Sequence, residues 1–126
     1  MPTKIILSSC ALILALTGIG LTFMPQEAAL LMGWSPLNSI LIQIIGALYF
    51  SYAMINWMSR GNLIGGIYNR PLAVANLTHF CIVSLALLKM PGKSFTFNIV
   101  TIVYSAFAVA FVIILFTHPI KELKTE

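Results

Sequence analysis

The chain has 126 residues, 60% of them apolar and only 8% charged, against about 25% charged residues in a soluble domain. Its net charge of +4 comes from basic residues that stand apart, at Lys4, Arg60, Arg70, Lys89, Lys93, Lys121 and Lys124. That scatter excludes a basic face for nucleic acid. It fits basic residues that anchor helix ends at a bilayer surface and attract anionic lipid headgroups.

Four uncharged apolar stretches account for nearly the whole chain: Ile5–Phe23, Leu37–Met58, Pro71–Leu88 and Phe95–Thr117. Each is about the length a helix needs to cross ~30 Å of hydrocarbon. The expected fold is an all-α membrane protein, an up-down-up-down bundle of four transmembrane helices. It forms one transmembrane domain over residues 1–126, because short connections make successive helices antiparallel neighbours. Polar stripes should turn inward, since an unpaired polar group in hydrocarbon is costly.

The first stretch carries Ala11, Ala15, Gly18 and Thr22 on one helical face, a small-residue stripe that lets a second backbone come close. Leu7-Ser8-Ser9-Cys10 matches a lipoprotein cleavage box, but only Ile5, Ile6 and Leu7 separate it from Lys4. A signal peptide needs an apolar region of roughly 7–15 residues, so a retained helix is predicted. Cys10 and Cys81 fall inside spans, where cysteine acts as a small apolar packing residue, and no disulfide is expected. After Pro25, the segment Gln26 to Trp34 reads as a short helix at the outer interface, with Leu30, Leu31 and Met32 toward lipid and Trp34 at headgroup level.

Ser35-Pro36 is a helix-start signal. The second span is the most polar, with Ser39, Gln43, Tyr49, Ser51, Tyr52 and Asn56. Its Gly46, Tyr49, Ala53 and Asn56 share one face. The connection Ser59 to Arg70 holds Gly61, Gly65 and Gly66, two arginines, and apolar Leu63, Ile64, Ile67 and Tyr68. It is too short for a fifth span and reads as a loop on the inner interface. Arg60 and Arg70 are candidates for binding an anionic headgroup or phosphate, with glycine amides completing an anion nest; simple anchoring of the helix ends is the other reading. The spacing of a nucleotide-binding loop is missing.

Pro71 opens the third span, which contains Asn76, Thr78, His79 and Ser84. Pro91-Gly92 makes the outer turn, and the fourth span sets Asn98, Thr101, Ser105 and Ala108 on one face before the charged tail from Lys121 to Glu126. His79 lies near the middle of its span, and an ionisable residue at that depth is a functional hypothesis by default. Depth and helical spacing point to a polar seam of Tyr49, Asn56, Asn76, His79 and Ser105. The alternative is a histidine that only ties two helices together, and Asn and Gln serve most often as interhelical glue. No metal site is predicted, because His79 has no second ligand near it and no carboxylate lies in a span. No catalytic residue or cofactor is assigned.

Basic flanks divide five to two if the N-terminus is inside: Lys4, Arg60, Arg70, Lys121 and Lys124 against Lys89 and Lys93. Both termini are therefore expected on the cytoplasmic side. The first connection, with Glu27 and no basic residue, suits the outside.

The run Gly46-Ala47-Leu48-Tyr49, then Asn56-Trp57-Met58, Arg60-Gly61, Gly65-Gly66-Ile67-Tyr68-Asn69-Arg70-Pro71, Asn76 and His79-Phe80, resembles small uncharacterised bacterial four-helix inner-membrane proteins. The similarity is clearest over the middle third. It implies an inner-membrane bundle and carries no activity or site residue with it. A looser similarity to DoxX-like membrane proteins rests on size and helix count.

Three functions stay open at this point. The first is a binding or accessory module for a lipid-like, quinone-like or other apolar ligand, or for a larger membrane complex. The second is a small transporter or channel subunit, which needs a homo-oligomer or a partner membrane protein. The third is a membrane enzyme using His79. The third lacks a paired acid and base or a nucleophile–base motif, and the second lacks visible inverted repeats.

Overall fold

Within a bilayer only a structure that pairs its own backbone groups can cross, and an α-helix does so locally. The computed structural model describes residues 2–35 and 39–117. Among them are five helices: α1 (Pro2–Phe23), α2 (Pro25–Leu31), α3 (Ser39–Ser59), α4 (Arg70–Lys89) and α5 (Phe95–Phe116). Four of these, all but α2, are long and apolar enough to span a membrane. The protein is thus an all-α membrane protein with four spanning helices, as its apolar stretches require. Pro36 and Leu37 at the expected start of the second span, His118, and the tail with Lys121 and Lys124 lie outside the described residues.

The helices run past the apolar stretches into their polar flanks. Helix α1 begins at Pro2 and includes Lys4, and α4 takes in both Arg70 and Lys89. Helix α5 stops at Phe116 because Thr117 turns to an extended backbone, φ −102° and ψ 128°.

The chain divides into two compact units, Met1–Gly61 and Asn62–Glu126. In the first, α1 packs on α3 with α2 against both. Leu7, Cys10, Ala11, Leu14 and Gly18 form the buried side of α1, with Ala15 and Thr22 half-buried beside them. On α3 the buried residues are Ile42, Gly46, Ala53 and Asn56, with Tyr49 half-buried on the same face.

Two glycines bring the α1 and α3 backbones together. A β-carbon on Gly18 would stand 2.6 Å from the backbone nitrogen of Phe50 and 2.8 Å from the carbonyl of Gly46. One on Gly46 would stand 2.8 Å from the nitrogen of Thr22 and 2.9 Å from the carbonyl of Gly18. The pairing of 18 with 50 and of 22 with 46 shows that the helices run antiparallel.

Helix α2 ends in a Schellman motif. The N–H of Gly33 bonds the carbonyl of Leu30 (3.1 Å) and the N–H of Trp34 bonds that of Ala29 (2.8 Å), with Gly33 at φ 70°. The cap turns the chain after α2 and leaves Leu30, Leu31 and Trp34 exposed, while Met32, expected toward lipid with the two leucines, is half-buried.

In the second unit, α4 packs on α5 across the short turn that contains Gly92. Leu72, Ala73, Asn76, Phe80 and Ser84 are buried on α4. Thr101, Tyr104, Ala108, Phe111 and Ile114 are buried on α5. Asn98 departs from the expected inward face: it lies in the first turn of α5 and is exposed. The loop before α4 belongs to this unit and closes the end of α5. Its Ile64 is buried, and the N–H of Gly66 bonds the carbonyl of Leu115 at 3.2 Å.

Candidate functional site

Helix α4 carries His79 at the middle of its length. The spacing Leu72, Asn76, Phe80, Ser84 forms the helix's buried line, and His79 stands on the edge of that line, half-buried. Its ring lies 5.9 Å from that of Tyr104 on α5, tilted by 51°. It also lies 5.2 Å from the ring of Phe80, edge-on at 78°.

Phe80 is the centre of an aromatic group. It sits 5.1 Å from Tyr104, 5.0 Å from Phe107 and 5.8 Å from Phe111, ring centroid to centroid. The last two pairs are stacked, a geometry that adds to the packing when the rings are offset. The α5 partners fall at i, i+3 and i+7, so one face of that helix presents all three. The group therefore places an imidazole and a phenol side by side, at mid-span, against a wall of phenyl rings.

Asn76, one turn before His79, is fully buried. Its Nδ2 donates to the carbonyl of Leu72 at 3.0 Å. On α3, Asn56 does the same toward Tyr52, also at 3.0 Å. Each amide thus returns one donor to its own helix, four residues back. Tyr49 is half-buried two turns before Asn56, and Ser105 is half-buried next to Tyr104 on α5. Of the residues singled out from the sequence, Asn76, His79 and Ser105 belong to the second unit, and Tyr49 and Asn56 to the first.

Arg60 and Arg70 also divide between the units. Arg60 closes the end of α3: its guanidinium lies 3.8 Å over the ring of Trp57, and its Nη1 donates to the carbonyl of Trp57 at 2.6 Å. A cation over an indole face is favourable, so this arginine both caps the helix and holds the interfacial tryptophan. Arg70 opens α4 and is exposed. The glycines between them serve backbone shape: Gly65 and Gly66 take φ 131° and 58°, and Asn69 takes φ 48° before α4 begins.

Tyr104 and the phenylalanines are the members of the aromatic group that sequence reasoning leaves without a role. The spacing of Tyr104, Phe107 and Phe111 was the available signal, although alone it reads as ordinary core. Ser84 adds a second buried polar point. Its hydroxyl has no hydrogen-bond partner among the described residues, whereas Thr101 bonds the carbonyl of Phe97 at 2.7 Å. Among the described residues no three His, Cys, Asp or Glu side chains gather into a metal cluster.

No protein-family profile, no curated protein and no solved structure matches this chain.

Proposed function

We propose that this protein is a binding or accessory module of a bacterial inner membrane, holding an apolar molecule with a hydrogen-bonding head, a lipid or a quinone-like ring, at His79 and Tyr104. One observation carries the reading: an ionisable ring in the middle of a spanning helix, half-buried and beside a tyrosine in an aromatic group. Imidazole and phenol each both donate and accept a hydrogen bond, which suits a carbonyl or hydroxyl head. The stacked phenylalanines suit a flat or apolar body.

Topology supports the same setting. The distribution of basic residues puts both termini in the cytoplasm, so Arg60 and Arg70 meet the inner leaflet, where anionic headgroups are concentrated. Reporter fusions after Glu126 and within Lys89–Lys93 should report opposite sides. A C-terminus on the outer side would sink the topology.

Native mass spectrometry of detergent-released protein, with a ubiquinone analogue added as probe, tests the ligand. Wild type should retain an apolar adduct that His79→Leu and Tyr104→Phe lose. Equal retention by all three proteins would end this reading.

A further inference from the structure

Among the described basic side chains, Arg60 is the one held at two points. It follows Ser59, the last residue of the spanning helix α3, so it stands where hydrocarbon gives way to headgroups. Its guanidinium lies 3.8 Å over the Trp57 ring, and its Nη1 donates to the Trp57 carbonyl at 2.6 Å. Lys93 makes a single, longer bond, from its Nζ to the Leu88 carbonyl at 3.3 Å. Lys4, Arg70 and Lys89 are exposed.

A cation at this boundary draws an anion, and its own unit does not bring one to it. The acidic residue of that unit is Glu27, in the first turn of α2. Helix α1 runs antiparallel to α3, so α2, which follows α1, lies toward the opposite end of α3. The 21 residues of α3, at 1.5 Å each, set its two ends about 30 Å apart. Surface charges that far apart are screened from one another.

The Arg60–Trp57 pair has the chemistry of a phosphate site. With Nη1 given to the carbonyl, the Nε–Nη2 edge of the planar guanidinium keeps two parallel N–H donors, which meet two oxygens of one phosphate. The indole and the carbonyl fix the plane of that fork, so the side chain has little rotamer freedom left to lose on binding. Trp57 is 46% exposed at the end of a spanning helix, the headgroup level that tryptophan favours. That brings the fork to the depth of lipid phosphates.

We infer that Arg60, positioned by Trp57, binds the phosphodiester of one anionic phospholipid at the end of α3. The site is separate from His79 and Tyr104.

The test is native mass spectrometry of the full chain in detergent, with phosphatidylglycerol or phosphatidylcholine titrated in. Wild type should retain one phosphatidylglycerol in preference to phosphatidylcholine. Arg60→Lys keeps the charge but loses the fork and its stacking, and should weaken that retention about fivefold, the scale of one basic contact to an anionic surface. Trp57→Leu should weaken it similarly with Arg60 intact. Arg70→Lys and His79→Leu should retain the lipid as wild type does, and millimolar inorganic phosphate should leave the adduct in place. All four variants should keep the helical circular dichroism of wild type. Full retention by Arg60→Lys or Trp57→Leu would overturn the inference, as would an equal loss in Arg70→Lys or His79→Leu, or displacement of the lipid by free phosphate.

Discussion

The two units solve one problem in opposite ways. Lipid tails are as apolar as leucine, so two helices in a bilayer gain nothing by hiding apolar surface from each other and must be held by close contact and polar bonds. The α1–α3 pair removes side chains: Gly18 and Gly46 let the backbones approach until a β-carbon on either would overlap backbone atoms of the other helix. The α4–α5 pair contains no glycine and packs through rings, with Phe80 touching Tyr104, Phe107 and Phe111. A glycine contact excludes everything but backbone and the nearest hydroxyl. A contact made of rings brings side-chain chemistry with it, which is why His79 and Tyr104 meet in the second unit.

The most damaging change should be one that forces the glycine contact apart. Gly46→Leu would place its β-carbon within 2.9 Å of backbone atoms of α1, which cannot rotate away. Overpacking of this kind costs typically 1–3 kcal/mol, and the rigid obstruction puts this case at about 3. Gly20→Leu, on the same helix as Gly18 but with nothing within 4 Å of its β-carbon, should be close to neutral. Reversible unfolding in detergent micelles measures both. Equal losses at the two positions would show that the close approach does not hold the unit together.

The aromatic unit should be less brittle. Phe80→Ala in a soluble core would cost about 3–5 kcal/mol. In lipid the transfer part of that cost falls away and the lost contacts remain, so about 2 kcal/mol is expected by the same measurement. A loss as large as that of Gly46→Leu would mean that the rings also fix the helix register. His79→Leu should cost less again, roughly 1–2 kcal/mol if its ring makes an interhelical bond, with His79→Gln keeping much of the stability. A large loss of ligand retention with little loss of stability in His79→Gln would separate binding from packing at this residue.

The architecture was legible because hydrocarbon permits few solutions. Apolar stretches of spanning length, Gly18 on a small stripe and Gly46 on the buried face of α3 all follow from composition and a period of 3.6. The site was legible only in part. The depth of His79 and its spacing from Asn76 are properties of one helix, and sequence gives them. Which ring on α5 stands beside His79 depends on the rotation of two helices about their axes, which no local pattern encodes, so Tyr104 and Phe80 came forward only with the structure. The loop was legible in part for a different reason. Its glycines mark where positive φ falls, at Gly65 and Gly66, but the bond from the N–H of Gly66 to the carbonyl of Leu115 joins it to a segment far along the chain and has no local signal.

That loop offers the smallest of the expected effects and the finest division within the aromatic unit. A helix leaves its last four carbonyls without partners, and at the C-terminus of α5 three of them are answered. The hydroxyl of Thr117 bonds the carbonyl of Ile113 at 2.6 Å, the N–H of Thr117 bonds that of Ile114 at 3.3 Å, and the N–H of Gly66 bonds that of Leu115 at 3.2 Å. Gly66 can reach only with φ at 58°, a region that costs an ordinary residue roughly 1–2 kcal/mol. Gly66→Ala should therefore lose about 1 kcal/mol locally while leaving the Phe80 group intact. Amide hydrogen exchange reads this directly: residues at the end of α5 and around Gly66 should exchange about fivefold faster, and the middle of α4 and α5 should not change. Faster exchange spreading to Tyr104 would show that the loop and the aromatic group open as one cooperative piece; exchange unchanged everywhere would remove the loop from the forces that hold α5.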